Sequence, residues 1–393
     1  MDHATALLMN IFVIFVAAQI GAEAAQRAKL PAVVGEIAAG CIIGPSVLGW
    51  VRVSEPLEVL AELGAVLLLF SVGLETRIGA LRRVGRVAGF VGVAGVILPF
   101  ALGAAWARLA GFGTPHALFI AAAFVATSAG ITARVLQDLG VLERTESRVI
   151  LGAAVIDDIL AMLLLGVVTA LQGGGSVNFA GLALVALQAV GFVALVAFVG
   201  TRAMRHSSTV LDAPINPLSP LTLSLALCLG LAVASAYLGL AAIIGAFLAG
   251  MVAAEAEQRP TLEKQIRAIM AFLVPFFFVV TGMKVNLGAL GGWHAVGTLA
   301  LVTGLAVVGK VVGCGVGAWS LGRKSALIVG VGMVPRGEVG IIVASLGQKA
   351  GLFSGSIYAV IIAMSLLTSV LAPPVLKALL PRSESRARDG DPA

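Results

Sequence analysis

Charge is what this sequence has least of. Of its 393 residues only 12% are Asp, Glu, Lys or Arg, about half the share found in soluble domains. That excludes a water-soluble fold for most of the chain. Histidine and cysteine are also scarce, at 4 and 3 residues. Cys41, Cys228 and Cys314 lie in apolar context without metal-type spacing and read as buried, reduced packing residues. His3, His116, His206 and His294 fall near loops or ends, which gives little support to a metal or pH-sensing cluster. No polar stretch is long enough for a soluble regulatory domain. The start of the chain has no basic segment and no small-residue cleavage site after its first apolar run, so that run is expected to stay as a helix. Of the aspartates, only the adjacent Asp157 and Asp158 fall deep within an apolar run. No second run offers the facing Asp that an intramembrane aspartyl protease needs, so an enzyme is not expected.

What the chain has is hydrophobicity. Apolar residues make up 59%, mean hydropathy is +1.05 and there are 48 glycines. Apolar runs of about 20 residues recur from end to end, enough to cross roughly 30 Å of hydrocarbon as helices, and small residues let such helices approach closely. The runs do not alternate in segments of about ten, as strands of a membrane barrel would. The expected fold is therefore an all-α integral membrane protein of about thirteen spans. They are placed at 4–26, 31–50, 56–78, 87–109, 115–138, 147–171, 178–200, 219–237, 239–256, 266–283, 292–320, 324–348 and 355–379. One transmembrane domain covers 1–381, followed by a short tail at 382–393.

The net charge of +6 raises nucleic acid as a partner, but the cations sit in short loops between apolar runs, and orientation explains them better. Odd-numbered loops and the tail carry most of them, for example Arg82, Arg83, Arg86, Lys264, Arg323 and Lys377. The other side holds only Arg52, Arg108, Lys284 and Lys349. The positive-inside rule then places the N-terminus outside and the C-terminus in the cytoplasm. Thirteen spans divide into six, one and six. Segments 4–171 and 219–379 would form two repeats, inverted because an offset of seven helices reverses direction, with 178–200 linking them.

Ionisable groups inside spans are expensive and mark function. Counted at 1.5 Å per residue, four spans place polar groups near one depth. These are Asp157 and Asp158 in the sixth, Thr127, Ser128 and Thr132 in the fifth, Lys310 in the eleventh, and Arg336 with Glu338 in the twelfth. One shared site explains that coincidence. The fifth and twelfth spans each occupy the fifth place of their half. Two hydroxyls beside a glycine in one, and Pro335 with Gly337 in the other, mark places where a helix breaks. Bared backbone is tolerated only at a buried site or cavity. Its carbonyls can ligate a cation, while Arg336 and Glu338 balance helix-end charge. Asp158, Asp157 and Thr127 supply oxygen ligands for a hard cation such as Na+ or Li+. The same carboxylates bind protons, and competition between the two ions yields exchange.

Plainer readings stand beside these. Lys310 also fits a purely structural ion pair, and Thr127, Ser128 and Thr132 can bond back within their helix. Arg336 and Glu338 fit best as charge balance for a broken helix. Glu36, in the short second span, either lines a funnel or caps a helix. Glu62 and Glu75 lean towards structure. Gly313-Cys-Gly315-Val-Gly317 lies inside a span with no strand before it and is no nucleotide loop.

Seven pieces in order carry a resemblance: Leu30-Pro-Ala-Val-Val-Gly-Glu36, Phe70-Ser-Val-Gly-Leu-Glu75, Ala126-Thr-Ser-Ala-Gly-Ile-Thr132, Val155-Ile-Asp-Asp158, Phe276-Phe-Phe-Val-Val-Thr-Gly282, Gly309-Lys310 and Pro335-Arg-Gly-Glu-Val-Gly340. Over nearly its whole length the chain resembles bacterial sodium/proton antiporters of the cation:proton antiporter-2 family. The resemblance implies a homodimer in the bacterial inner membrane, with a dimerisation domain and a mobile core of two crossed broken helices. It implies elevator-type alternating access, with no cofactor and with Na+ or Li+ and H+ as cargo. Asp158 would be the main ion-binding carboxylate, and Asp157 would pair with Lys310 until the cation arrives. Two adjacent acids imply electrogenic exchange of more protons than cations. A potassium/proton antiporter and a non-transporting cation sensor are the alternatives, separated by comparing exchange in Na+, Li+ and K+.

Overall fold

The computed structural model describes residues 3–172, 179–200, 202, 219–285 and 293–380, and every regular element among them is helical. In chain order the helices are α1 (His3–Arg27), α2 (Ala32–Ile43), α3 (Glu55–Leu74), α4 (Ile78–Leu109), α5 (Thr114–Val125), α6 (Ala129–Asp138), α7 (Thr145–Gln172) and α8 (Phe179–Leu195). There follow α9 (Ser219–Tyr237), α10 (Ala242–Ala253), α11 (Arg259–Met283), α12 (Trp293–Gly317), α13 (Arg323–Gly332), α14 (Glu338–Lys349) and α15 (Gly355–Leu379). A π-turn, Val196–Gly200, continues α8, and a 3-10 turn, Trp319–Leu321, follows α12. The tail at 382–393 and most of the stretch between α8 and α9 lie outside the described residues.

With α5 and α6 taken as one segment, 10 helices are long and apolar enough to cross a membrane, and Ala32–Ile43, Ala242–Ala253 and Val339–Gln348 are shorter apolar helices. Several helices outrun the apolar windows expected for them. α4 starts at Ile78 rather than 87, and α11 at Arg259 rather than 266. Arg and Lys are good helix formers, so the helix continues past the membrane edge where hydropathy no longer reports it. The second span is shorter than expected. Its helix ends at Ile43, with Gly44 as C-cap ahead of Pro45.

Glycine sets how closely the helices pack. α2 folds back on α1, and a Cβ at Gly35 would fall on the carbonyl oxygen of Gly21. α10 folds back on α9 in the same way, with Gly245 over the carbonyl of Leu231. The turns feeding the two helices match as well: Lys29 has φ 62° and Gly239 φ 80°. α2 then crosses α11, with Gly40 against the Val279 carbonyl and Gly282 against that of Ile37. α10 crosses α3, with Gly250 against the Phe70 carbonyl and Gly73 against that of Phe247. A second group of helices forms around α4, which packs on α5, α7 and α12. α6 meets both α3 and α11, with Gly130 against Phe277 and Leu69, and α2 meets α6 and α15, so the two groups touch there.

Candidate ion-binding site

The backbone leaves the helix at 126–128, between α5 and α6, and again at 334–337, between α13 and α14. These are the hydroxyl run and the Pro-Arg-Gly stretch. The two breaks meet. Ser128 N–H donates to the Pro335 carbonyl at 2.7 Å, and the Thr132 hydroxyl donates to the Gly332 carbonyl at 2.6 Å. A Cβ on Gly337 would stand 2.6 Å from Ser128 Oγ, so the crossing needs bare backbone at that point. A break leaves helix-end carbonyls and N–H groups without intrahelical partners, and the crossing returns partners to some of them.

Arg336 serves the rest. Its side chain is fully buried, and its guanidinium donates to the carbonyls of Phe124 (2.6 Å), Ala306 (3.1 Å) and Val334 (3.2 Å). Phe124 belongs to the last turn of α5, where the helix dipole is negative and a cation is favoured. The Ser369 hydroxyl of α15 donates to the Arg336 carbonyl, so the break is held from both faces. The Glu338 side chain, expected to share this charge balance, lies outside the described residues.

Beside the crossing, α7 and α12 bring a charge pair together. Lys310 Nζ lies 2.7 Å from Asp157 Oδ1, and both side chains are fully buried. Taking two charges out of water costs several kcal/mol per ion, so the contact must be close and shielded. α4 passes close to the pair at a glycine: a Cβ on Gly95 would fall 2.5 Å from Cys314 Sγ of α12 and in ordinary contact with Lys310 Nζ and Asp157 Oδ1. Asp157 Oδ2 has no hydrogen-bond partner. Buried polar atoms of that kind call for an explanation, and this oxygen is free to accept a proton or ligate a cation.

Asp158 follows on the same helix but faces another way. It is partly exposed and lines a small cleft with Leu69, Ala129, Ile243, Ile244 and Phe247. Adjacent helical residues point about 100° apart, so one acid is sealed against Lys310 while the next looks onto α3 and α10. Thr127 and Ser128 are buried at the break. The Thr127 hydroxyl makes only a long contact, 3.5 Å, to the Val125 carbonyl, and Ser128 Oγ has no partner. Thr132, grouped with them as a candidate ligand, donates its hydroxyl proton to the tie across the crossing and keeps its oxygen lone pairs.

A larger cavity, about 570 Å³, opens at the end of the molecule that carries the α1–α2 turn and the end of α15. Its walls include Glu75, Arg134, Gln137, Asp138, Arg267 and Lys377. Gln137 on α6 donates to both Ser71 (2.9 Å) and Glu75 (2.8 Å) on α3, and Lys377 Nζ donates to the Lys29 carbonyl at 2.6 Å. Reading the sequence alone missed Gly95, Gln137 and Ser369. Gln137 and Ser369 look like ordinary polar residues in their helices, and Gly95 is one of 48 glycines.

The family model described as "Sodium/hydrogen exchanger, transmembrane" matches residues 11–382. The chain is 35% identical over 378 residues to the Na(+)/H(+)-K(+) antiporter GerN of Bacillus cereus, covering 94% of this chain and 95% of that protein. It is 33% identical over 413 residues to the high-affinity Na(+)/H(+) antiporter NhaS3 of Synechocystis, covering 95% and 89%. Among solved structures, the sodium proton antiporter MjNhaP1 of Methanocaldococcus jannaschii at pH 8 is similar in fold, with a TM-score of 0.65, 17% identity and coverage of 95% and 97%.

Proposed function

The chain belongs to the sodium/hydrogen exchanger family, and on that premise we propose that it exchanges Na+ or Li+ for H+ across a bacterial inner membrane. One observation carries the assignment to residues: the fully buried Lys310–Asp157 pair, with Asp158 one residue on, beside a crossing of two broken helices. Asp158 is the carboxylate for which cation and proton compete. Asp157 leaves Lys310 to help ligate the cation, with Thr127 and bared carbonyls completing the oxygen set. Lys310, released, gives up its proton. More protons than cations then cross, and exchange is electrogenic.

The thirteen spans of this reading count α5 with α6, count α13 with α14, and include the short helices α2 and α10. The matching glycine crossings of α2 and α10, with Gly35 and Gly40 answering to Gly245 and Gly250, support two inverted repeats, 4–171 and 219–379. One group of helices, α1–α3 with α9–α11, is a fixed dimerisation domain within the 1–381 membrane domain. The other, α4–α7 with α12–α15, is a core that slides against it as an elevator. Loop cations place the N-terminus outside and the large cavity on the cytoplasmic side. The working unit is a homodimer in lipid.

The test uses proteoliposomes with an internal pH dye and an imposed proton gradient, to which Na+, Li+, K+ or choline is added. Dissipation by Na+ and Li+, absent in Asp158→Asn, is the expected result. A response to K+ alone would keep the site and change the ion. That second reading is favoured by the name of the Bacillus relative, a Na(+)/H(+)-K(+) antiporter. No response to any cation from folded protein would leave a non-transporting cation sensor.

A further inference from the structure

We propose that Glu36 is a second cation-binding carboxylate, a station where the transported monovalent cation pauses between the large cavity and the crossing. The proposal rests on the antiport reading. Glu36 lies inside α2 one turn beyond Ala32, and Ala32 lines the cavity. Arg134 and Asp138, which line it from α6, act electrostatically on Glu36. The side chain is 4% exposed, and its Oε2 has no hydrogen-bond partner. The carboxylates on the cavity wall are already engaged. Glu75 accepts from Gln137 at 2.8 Å, and Asp138 accepts from Arg134 at 3.2 Å.

Packing does not account for the carboxylate. Ala246 holds the matching position in α10, between Gly245 and Gly250, and is fully buried in the matching crossing. The helix geometry is therefore met by a methyl group. A helix cap does not account for it either, because the N-cap of α2 is Pro31. A buried oxygen without a partner costs stability, and a hard cation that takes oxygen ligands repays that cost when it arrives. Glu36 immediately precedes Ile37, whose carbonyl meets Gly282 in the α2–α11 crossing, and Arg134 is on α6, whose other end abuts the break at 126–128. The station thus lies between the two groups of helices, on the cavity side only.

The experiment measures initial exchange rate against Na+ concentration in right-side-out and inside-out vesicles, for wild type, Glu36→Gln and Glu36→Asp. With Na+ offered from the cavity side, Glu36→Gln should raise KM about fivefold or more while kcat stays within about twofold. Glu36→Asp should recover most of that loss, and KM from the opposite side should not change. An unchanged KM from both sides overturns the station. So does a loss confined to kcat, or a KM that rises equally from both sides. A change in pH dependence without a change in Na+ KM would make Glu36 a proton group and also overturn it. If wild type itself shows no cation-coupled proton flux, the antiport reading fails and this proposal falls with it. A normal wild type with an unaltered Glu36→Gln sinks the station alone.

Discussion

Helices cross at close range in this molecule by two opposite means. Where α2 crosses α11 and α10 crosses α3, the helices stay continuous and glycine removes the side chain that would keep them apart. Where α5/α6 meets α13/α14, the helices break, and the freed backbone is paired by Ser128, Thr132 and Arg336. The first solution leaves the helical backbone bonds intact and meets through glycines and apolar residues. The second leaves carbonyls and N–H groups aimed into the interior, with a buried Arg beside them and a buried Lys–Asp pair close by. A membrane offers no water to such groups, so the broken crossing is held only by its own contacts. In the proposed exchange it is the place where an arriving ion would change which contacts are made.

That contrast can be broken most directly at Asp158. Asp158→Asn should abolish exchange, a loss of about 100-fold or more if the carboxylate is the ion ligand, while the purified protein still elutes as a folded species. Full activity in proteoliposomes would remove the broken crossing from the mechanism.

The next largest effect is on stability. Lys310→Ala leaves Asp157 buried and unpaired, and should cost about 3–5 kcal/mol in a thermal or denaturant unfolding assay. The double variant Asp157→Asn with Lys310→Gln removes both charges and should recover most of that loss. It should also change the charge moved per cation in a voltage-sensitive flux measurement. Unchanged charge movement would reduce the pair to a structural role.

Arg336→Met removes the donor to the break carbonyls of Phe124 and Val334 and should cost about 1.5–3 kcal/mol. The expected signature is a lower Tm together with lower exchange per folded molecule, because the break itself loosens.

Gly245→Ala puts a Cβ on the Leu231 carbonyl and should cost about 1–3 kcal/mol through overpacking. Here the comparison predicts a split: Tm falls, but exchange per folded molecule is kept. Equal losses in both would mean that the glycine crossings move during transport.

The smallest effect is expected from Ser46→Ala. It removes a hydroxyl that donates to the Val285 carbonyl, with a cost of about 1 kcal/mol and no change in ion selectivity.

How much of this was legible beforehand varies residue by residue. The interruption of the fifth and twelfth spans could be read from Thr127–Thr132 and Pro335–Gly337, because a proline removes a backbone donor wherever it stands. Asp157, Asp158 and Lys310 could be read as site candidates, because burying charge in lipid is costly in any tertiary arrangement. The tie made by Thr132 could not be read. Its hydroxyl serves the Gly332 carbonyl, and nothing near it in sequence reveals a partner two hundred residues away. The role of Gly95 was invisible for the same reason, since the atom it makes room for, Cys314 Sγ, comes from α12.

The sequence by itself determined the class of protein and the apolar stretches that become its helices. Each membrane helix satisfies its own hydrogen bonds locally and must be apolar over a length set by the bilayer, so those features are written in consecutive residues. Only the tertiary structure decided which acid is sealed against Lys310 and which faces the cleft. It also decided that Ser128 meets Pro335, and that Glu36 is buried with an oxygen to spare. These depend on how helices rotate and cross, which is settled by side-chain contacts between segments far apart in the chain.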